Sequence, residues 1–105
     1  MKKAESVLAV KFNSSLDPEE LLTISHEDLE TFRNVPGLIQ KYYVVEESTG
    51  ALSGIYIFET EEDRTNFWAS ELAATIPARY GVLQSTLRVE KYEMAIVLNN
   101  LVVAK

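Results

Sequence analysis

The 105-residue chain contains no cysteine and a single histidine, His26. Without thiolates there can be no disulfide, no cysteine nucleophile and no cysteine-ligated zinc or iron–sulfur site. One histidine also excludes a multi-histidine metal site within one chain. Basic residues are few, ten against sixteen acidic residues, so the formal net charge is −6. Because such a surface repels phosphate groups and anionic lipid, we expect neither nucleic acid nor a membrane surface as a partner.

Long apolar runs are missing as well. The longest, residues 94–104, contains Asn99 and Asn100 and is far shorter than the ~20 residues that a membrane-spanning helix needs. The N-terminal apolar stretch is broken by charged residues and lacks the cleavage-site pattern of a signal peptide. We therefore expect a cytoplasmic protein. The length and the hydrophobic content of 47% predict one domain over residues 1–105.

Strand and helix signals alternate along the chain. Runs rich in Val, Leu, Ile, Phe and Tyr predict strands, and capping boxes predict helix starts. The predicted strands cover residues 5–12, 38–47, 51–59 and 83–93, and the predicted helices follow Asp17 and Thr60, the second running from about Glu61 to Thr75 before Pro77 and Gly81. This βαββαβ order predicts the α+β ferredoxin-like plan, an antiparallel sheet with both helices on one face.

The helical region after Asp17 has two interpretations. In one continuous helix, Leu22, His26 and Leu29 would share one face, since they are spaced by four and three residues. The segment Ser25–Asp28 is itself a capping box, however. The region can therefore also form two short helices, and His26 would then lie in an exposed first turn.

The hairpin between the second and third strands also has two interpretations. A three-residue loop places Tyr42 opposite Tyr56, whereas a two-residue loop places Tyr43 there. We favour the three-residue loop, with Gly50 in the left-handed backbone conformation that glycine adopts without strain.

The third strand predicts a second copy of the chain. Its segment Ile55–Phe58 is apolar at every position, although a sheet with water on one face should alternate apolar and polar residues. The face away from the helices must then be covered, and a homodimer packed sheet to sheet covers it. The apolar stretch 94–104 is predicted to extend the sheet or to cross onto the partner subunit.

Three segments resemble a known superfamily. Val35–Lys41 (VPGLIQK) followed by Gly54–Phe58 (GIYIF) is similar to small mono-oxygenases of the YdhR-like branch of the dimeric α/β-barrel superfamily. Phe67–Ser70 (FWAS) resembles a helix of the antibiotic-biosynthesis mono-oxygenases. The resemblance covers about residues 5–93. It implies a dimer with a cavity between helices and sheet in each subunit and, for some members, oxidation of phenolic or quinol substrates by molecular oxygen without a cofactor.

Six residues are candidates for such a site. Histidine ordinarily titrates near neutrality, so His26 is the candidate proton acceptor for a phenol, although a surface position on an acidic helix is the alternative. Trp68 would offer an aromatic wall and Tyr56 a hydrogen bond to oxygen. Core packing and cross-strand pairing are the alternatives for these two. The candidates are, as catalytic residues, His26, Tyr56 and Trp68 and, as substrate-binding residues, Asn13, Tyr42 and Phe67.

The sequence thus predicts a cofactor-independent mono-oxygenase with no bound metal. Its substrate would be a small electron-rich aromatic, held in a pocket between the helices and the sheet. A non-catalytic dimer that binds small molecules or has a stress-related structural role is the alternative. An isomerase or lyase on the same fold is a third possibility, because a fold does not determine the chemistry that it carries.

Overall fold

The computed structural model describes residues 3–98 of the chain. Four strands and four helices follow one another, with a short 3₁₀ turn at Gln84–Thr86 before the last strand. In chain order they are β1 (Ser6–Phe12), α1 (Pro18–Glu27), α2 (Leu29–Arg33), β2 (Leu38–Val45), β3 (Leu52–Phe58), α3 (Glu61–Trp68), α4 (Glu71–Arg79) and β4 (Arg88–Glu93). No helix within residues 3–98 has the length and apolar character that crossing a bilayer requires.

The four strands form one antiparallel sheet in the order β2-β3-β1-β4. Strand β1 lies between β3 and β4, and the helical segments connect β1 to β2 and β3 to β4. This is the α+β ferredoxin-like plan, so the predicted fold class is confirmed.

The core lies between the sheet and the helices. Strands β1 and β3 alternate buried and half-buried positions, as expected for strands with one face against helices. Buried aromatic and aliphatic side chains from both layers meet there, namely Leu8, Val10, Phe12, Phe32, Leu52, Tyr56, Phe58, Phe67, Ala73, Ile76 and Tyr80.

The first helical region consists of two short helices. This is the second of the two arrangements that the sequence predicts. Helix α1 begins where Asp17 accepts a hydrogen bond from the Glu20 amide, and it ends at Glu27. The prediction of one continuous helix with a common apolar face is wrong, because Leu22 is 59% exposed and His26 is exposed too. His26 lies in the last turn of α1 and not in a first turn.

The second helical region is also divided, contrary to the prediction of one helix over residues 61–75. The Ser70 hydroxyl accepts a hydrogen bond from the Ala73 amide and donates one to the Phe67 carbonyl, so Ser70 caps a new helix. Pro77 was expected at the helix exit, yet it lies inside α4, which continues to Arg79.

The β2–β3 hairpin has a register that differs from both predicted alternatives. Lys41 is the residue opposite Tyr56, and Tyr43 lies opposite Gly54. Hydrogen bonds close a longer loop: the Glu46 amide donates to the Ala51 carbonyl, and the Gly50 amide donates to the Glu46 carbonyl, both at 2.8 Å. The expected left-handed conformation of Gly50 is confirmed by its φ of +74°.

The chain leaves the sheet soon after β4, which begins at Arg88 and not at residue 83. The Met94 amide still donates to the Glu5 carbonyl at 2.7 Å, but residues 94–98 form no strand. Ile96 and Leu98 are 84% and 90% exposed. Extension of the sheet by residues 94–98 is therefore wrong. The rest of the predicted tail, residues 99–104, lies outside the described residues.

A lysine-bearing cleft as the candidate functional site

A small cleft lies between the sheet and helix α4. Its enclosed space is about 10 Å³, on the order of one water molecule. Most of its lining is aliphatic or aromatic, and its one charged side chain is that of Lys41. The lining residues are Val10, Phe12, Lys41, Tyr43, Leu52, Gly54, Tyr56, Ile76 and Tyr80.

Strand alternation and a glycine place Lys41 in this cleft. Lys41 and Tyr43 are two residues apart on β2, so both point toward the helices. Across the hairpin, Gly54 leaves the space through which the lysine side chain passes. A Cβ atom at Gly54 would lie 3.4 Å from Lys41 Cε and 3.0 Å from Tyr56 Cε1. The glycine in mid-strand therefore permits the close packing of Lys41 and Tyr56.

The Lys41 amine is surrounded by aromatic rings. Its Nζ atom lies 3.4 Å from the ring centroid of Phe32, 4.1 Å from that of Tyr43 and 4.5 Å from that of Tyr56. Nζ also donates a hydrogen bond to the Tyr43 hydroxyl at 2.9 Å. None of the ion pairs found within residues 3–98 includes Lys41. The amine is thus held by π faces and a hydroxyl in place of a carboxylate.

This environment brings the titration of Lys41 close to neutrality. Burial penalises the ammonium form and lowers the pKa of Lys41 from its ordinary 10.5 to about 7, while the charge of Asp28 acts in the opposite direction. The ring faces also favour the ammonium form. Near pH 7 the amine can therefore be either a proton acceptor or a proton donor.

A second hydrogen-bonded pair on the cleft wall leads to the protein surface. The Tyr80 hydroxyl donates to Asp28 Oδ2 at 2.8 Å. Arg79 holds Asp28 from the other side, with Nε 2.9 Å from Oδ2. The polar groups of the wall are thus arranged as two pairs, Lys41 with Tyr43 and Tyr80 with Asp28.

The pKa values of the other titratable groups in and beside the cleft follow from burial and from their hydrogen bonds. Burial raises the pKa of Tyr80, and its hydrogen bond to Asp28 raises it further. Burial alone would raise the pKa of Asp28, but hydrogen bonds from Arg79 and Tyr80 bring it below its usual value. Burial also raises the pKa of Tyr56. Over the part of the chain that the structure describes, no group of three His, Asp or Glu side chains could hold a metal ion.

Of the six predicted site residues, Tyr56 lines the cleft, and two others lie in or beside the core. Phe67 is buried behind Tyr56, with the two ring centroids 5.0 Å apart. Trp68 is half-buried, and its ring centroid lies 6.5 Å from that of Phe67. Neither Phe67 nor Trp68 is a lining residue of the cleft. They support the wall that Tyr56 provides.

The remaining three candidates lie elsewhere. His26 is exposed at the end of α1, and Tyr42 is 48% exposed on the face of the sheet away from the helices. Asn13 follows β1. Its backbone N–H donates to Thr86 Oγ1 at 2.9 Å, and its side-chain Nδ2 donates to the Thr49 carbonyl at 3.4 Å. These contacts are typical of a residue that orders loops. None of the three lines the cleft.

Sequence reasoning missed Lys41 and Tyr80 as members of the cleft, and it considered Tyr43 only as the alternative cross-strand partner of Tyr56. Two signals for them were present in the sequence. A lysine in an otherwise aromatic and aliphatic strand shares a face with the tyrosine two residues later. An isolated glycine within a strand, here Gly54, indicates a close approach by another group. The link from Tyr80 to Asp28 joins residues 52 positions apart and had no local signal.

Comparison with protein families gives a match that spans most of the chain. The family described as "Putative mono-oxygenase ydhR" matches residues 7–101. Among curated individual proteins, none matches the sequence.

Several solved structures share the fold at low sequence identity. A protein of unknown function from Nitrosomonas europaea, NE2512, has a TM-score of 0.72 and 16% identity, with 96% of this chain and 99% of that chain covered. The monooxygenase ActVA-Orf6 of Streptomyces coelicolor, in complex with Nanaomycin D, has a TM-score of 0.67, 18% identity and coverages of 93% and 94%. SnoaB of Streptomyces nogalater, described as a cofactor-independent oxygenase, has a TM-score of 0.64, 11% identity and coverages of 92% and 97%.

Proposed function

Because this chain belongs to the YdhR family of mono-oxygenases, we propose that it oxidises a small phenol or quinol with molecular oxygen and without a cofactor. The observation that carries the proposal is the Lys41 amine, which titrates near neutrality on the wall of an apolar cleft. Two proteins of similar fold support it, one described as a monooxygenase with Nanaomycin D bound and one as a cofactor-independent oxygenase.

In this proposal the proton acceptor is Lys41 and not His26. The neutral amine accepts the proton of the substrate hydroxyl, and the electron-rich phenolate that results can transfer an electron to oxygen. For a substrate such as anthrone, the ring CH₂ group becomes C=O and the second oxygen atom leaves as water. The substrate thereby supplies all four electrons.

The walls of the cleft orient the substrate and exclude water. Tyr56 is 2% exposed and presents its ring beside Lys41, so an aromatic substrate would stack there. The enclosed space holds only about one water molecule, so the substrate requires movement of the lining. Lys41 and Tyr43 are only partly buried and are the lining side chains with room to move.

Oxygen uptake tests the proposal. The purified chain is mixed with a panel of anthrones and hydroquinones, and oxygen consumption is followed with an electrode while mass spectrometry detects one incorporated oxygen atom. Replacing Lys41 with Met should slow the reaction by about 10²–10⁴, the range for a lost general base. Lys91→Met is the matched control, because Lys91 is exposed on β4 and does not line the cleft. His26→Ala should leave the rate unchanged.

The alternative is a non-catalytic protein that binds small molecules in the same cleft. Calorimetry with the same panel distinguishes the two functions. Saturable binding without oxygen uptake above the buffer rate would support the binding function and contradict the oxygenase.

We also propose that the protein is a cytoplasmic homodimer in which the faces away from the helices pack together. On β1 and β3 this face carries Val7, Ala9, Ile55 and Ile57, which are half-buried in the isolated chain. The exposed side chain of Tyr42 extends the same surface. A contiguous apolar sheet face of this kind is typical of a protein interface. We expect a total buried area near the standard ~1,600 Å².

A further inference from the structure

The Lys41 amine has a second chemical capacity, which the proposed oxygenation does not use. A neutral amine is a nucleophile toward carbonyl carbon, and lysines desolvated in apolar pockets are the ones that form Schiff bases. Lys41 Nζ combines an aromatic enclosure with a hydroxyl at 2.9 Å, that of Tyr43, and takes part in no ion pair with the described residues.

We propose that Lys41 forms a reversible imine with small, uncharged, apolar aldehydes that enter the cleft, with Tyr43 as the proton donor to the departing oxygen. The amine nitrogen attacks the carbonyl carbon, the carbonyl oxygen takes up a proton, and a carbinolamine results. The hydroxyl then leaves as water while the nitrogen loses its proton and forms the C=N bond. Amine and aldehyde thus give imine and water, with no change of oxidation state.

The preference for an uncharged apolar aldehyde follows from the lining. Val10, Leu52 and Ile76 form the aliphatic side of the cleft, and no carboxylate or second cation lies among the lining residues. A charged aldehyde would lose its hydration there without gaining a partner. Because the enclosed space holds only about one water molecule, the aldehyde also requires movement of the lining, and a short chain such as propanal requires the least.

The other described lysines lack this environment. Lys3 pairs with Glu5 at 3.3 Å, Lys11 pairs with Glu46 at 3.0 Å, and Lys91 is exposed to solvent. At pH 7 an ordinary lysine with a pKa near 10.4 is neutral in about 4 molecules of 10⁴. Lys41, with a pKa of about 7, is neutral in about half. The nucleophilic fraction of Lys41 is therefore about 10³ times that of an ordinary lysine.

Reductive trapping tests the proposal on the unmodified wild-type chain. The folded protein is incubated at pH 7 with propanal and cyanoborohydride, without oxygen and without a phenol, and the modified lysines are mapped by peptide mass spectrometry. We expect Lys41 to be alkylated at least about tenfold faster than Lys91, with a rate that saturates as propanal is increased. Glyoxylate, a charged aldehyde of similar size, should label Lys41 more slowly than propanal does.

Two controls separate the site from general reactivity. In guanidinium chloride, where the cleft is absent, Lys41 and Lys91 should be alkylated at similar rates. Tyr43→Phe keeps the ring and removes the hydroxyl, so it should slow labelling of Lys41 while the labelling of Lys91 stays unchanged.

Three results would overturn the proposal: equal labelling of Lys41 and Lys91 in the folded protein, a rate that stays linear in propanal, or a preference for Lys41 that persists after unfolding. Because no oxygen is consumed in this experiment, its outcome is independent of the proposed oxygenation. Oxygen uptake without trapping would contradict only the imine, and trapping without oxygen uptake would contradict only the oxygenase.

Discussion

The two faces of strand β3 differ in what they contact, although both are apolar. Tyr56 and Phe58 point toward the helices and are 2% and 0% exposed. Ile55 and Ile57 point away from the helices and are only half-buried in the chain. Hydrophobicity therefore does not distinguish a core position from an interface position on this strand. The helix-facing side carries the cleft and its lysine, whereas the opposite side offers aliphatic surface without a titratable pocket.

Truncating one side chain on each face of β3 should give the largest change in the free energy of unfolding and the clearest difference between the two faces. Phe58→Ala removes a fully buried ring and should lower the free energy of unfolding by about 3–5 kcal/mol, the range for core aromatic residues. Ile57→Ala should lower it by much less when protein is dilute enough to be monomeric. Urea unfolding at low concentration measures both. Equal losses would contradict the distinction between the faces.

Introducing a charge on the open face should break the proposed dimer and leave the cleft intact. Ile57→Lys places an ammonium group in the interface and should weaken dimerisation by roughly 2–5 kcal/mol, the range for an unpaired buried charge. Ile57→Val is the control that keeps the surface apolar. Sedimentation equilibrium measures the dissociation constant. A wild-type chain that remains monomeric at micromolar concentration would contradict the dimer.

The helix-facing side should also make stability depend on pH. Between pH 7 and about pH 10 the unfolded chain keeps a proton on Lys41 that the folded chain has released. The unfolded state then binds more protons, so the free energy of unfolding should rise with pH, by at most about 1.4 kcal/mol per unit. Above pH 10 the raised pKa values of Tyr56 and Tyr80 reverse the trend, because the folded state then holds the additional protons.

Comparison of the wild type with Lys41→Met isolates the lysine contribution. The difference between their unfolding free energies should change across pH 7–10, whereas Lys91→Met should follow the wild type at every pH. A difference that stays constant with pH would contradict the lowered pKa of Lys41.

The smallest effect should come from Asp28, whose carboxylate accepts the hydrogen bond of Tyr80. The charge of Asp28 raises the pKa of Lys41, so Asp28→Asn should lower that pKa further. Glu27→Gln is a suitable control, because Glu27 also pairs with Arg79, at 3.1 Å, but makes no hydrogen bond to Tyr80. A titration of the Lys41 side-chain resonances by NMR measures the shift. An unchanged pKa in Asp28→Asn would contradict the effect of the Asp28 charge on Lys41.

Local patterns predicted the elements of this fold well, because each depends on neighbours in the sequence. The cap of Asp17 on α1 and the left-handed Gly50 could both be read directly. The cap at Ser70 has a weaker signal in the sequence, because Ala73 stands where a capping box has Glu or Gln and because the apolar stripe continues across it. Pro77 lies inside α4, although proline inside a predicted helix usually marks its end.

The site depended on contacts that the sequence does not encode locally. A hairpin loop longer than either expected alternative places Lys41, and neither tyrosine, opposite Tyr56. One residue of register difference would turn the lysine to the other face of the sheet. His26 has the ordinary chemistry of a proton acceptor, but its position on an exposed turn removes it from the cleft. Lys41 can accept a proton near neutrality instead, because burial lowers its pKa to about 7.

The amino-acid sequence by itself determined the order of strands and helices, the absence of thiol chemistry and the apolar character of both faces of β3. These properties follow from composition and from short-range periodicity, which act within a few residues. Only the tertiary structure decided that Lys41 meets Phe32 and Tyr43 and that Tyr80 reaches Asp28. The pKa of an amine depends on the solvent, rings and charges around it, and folding brings those groups together from distant parts of the chain.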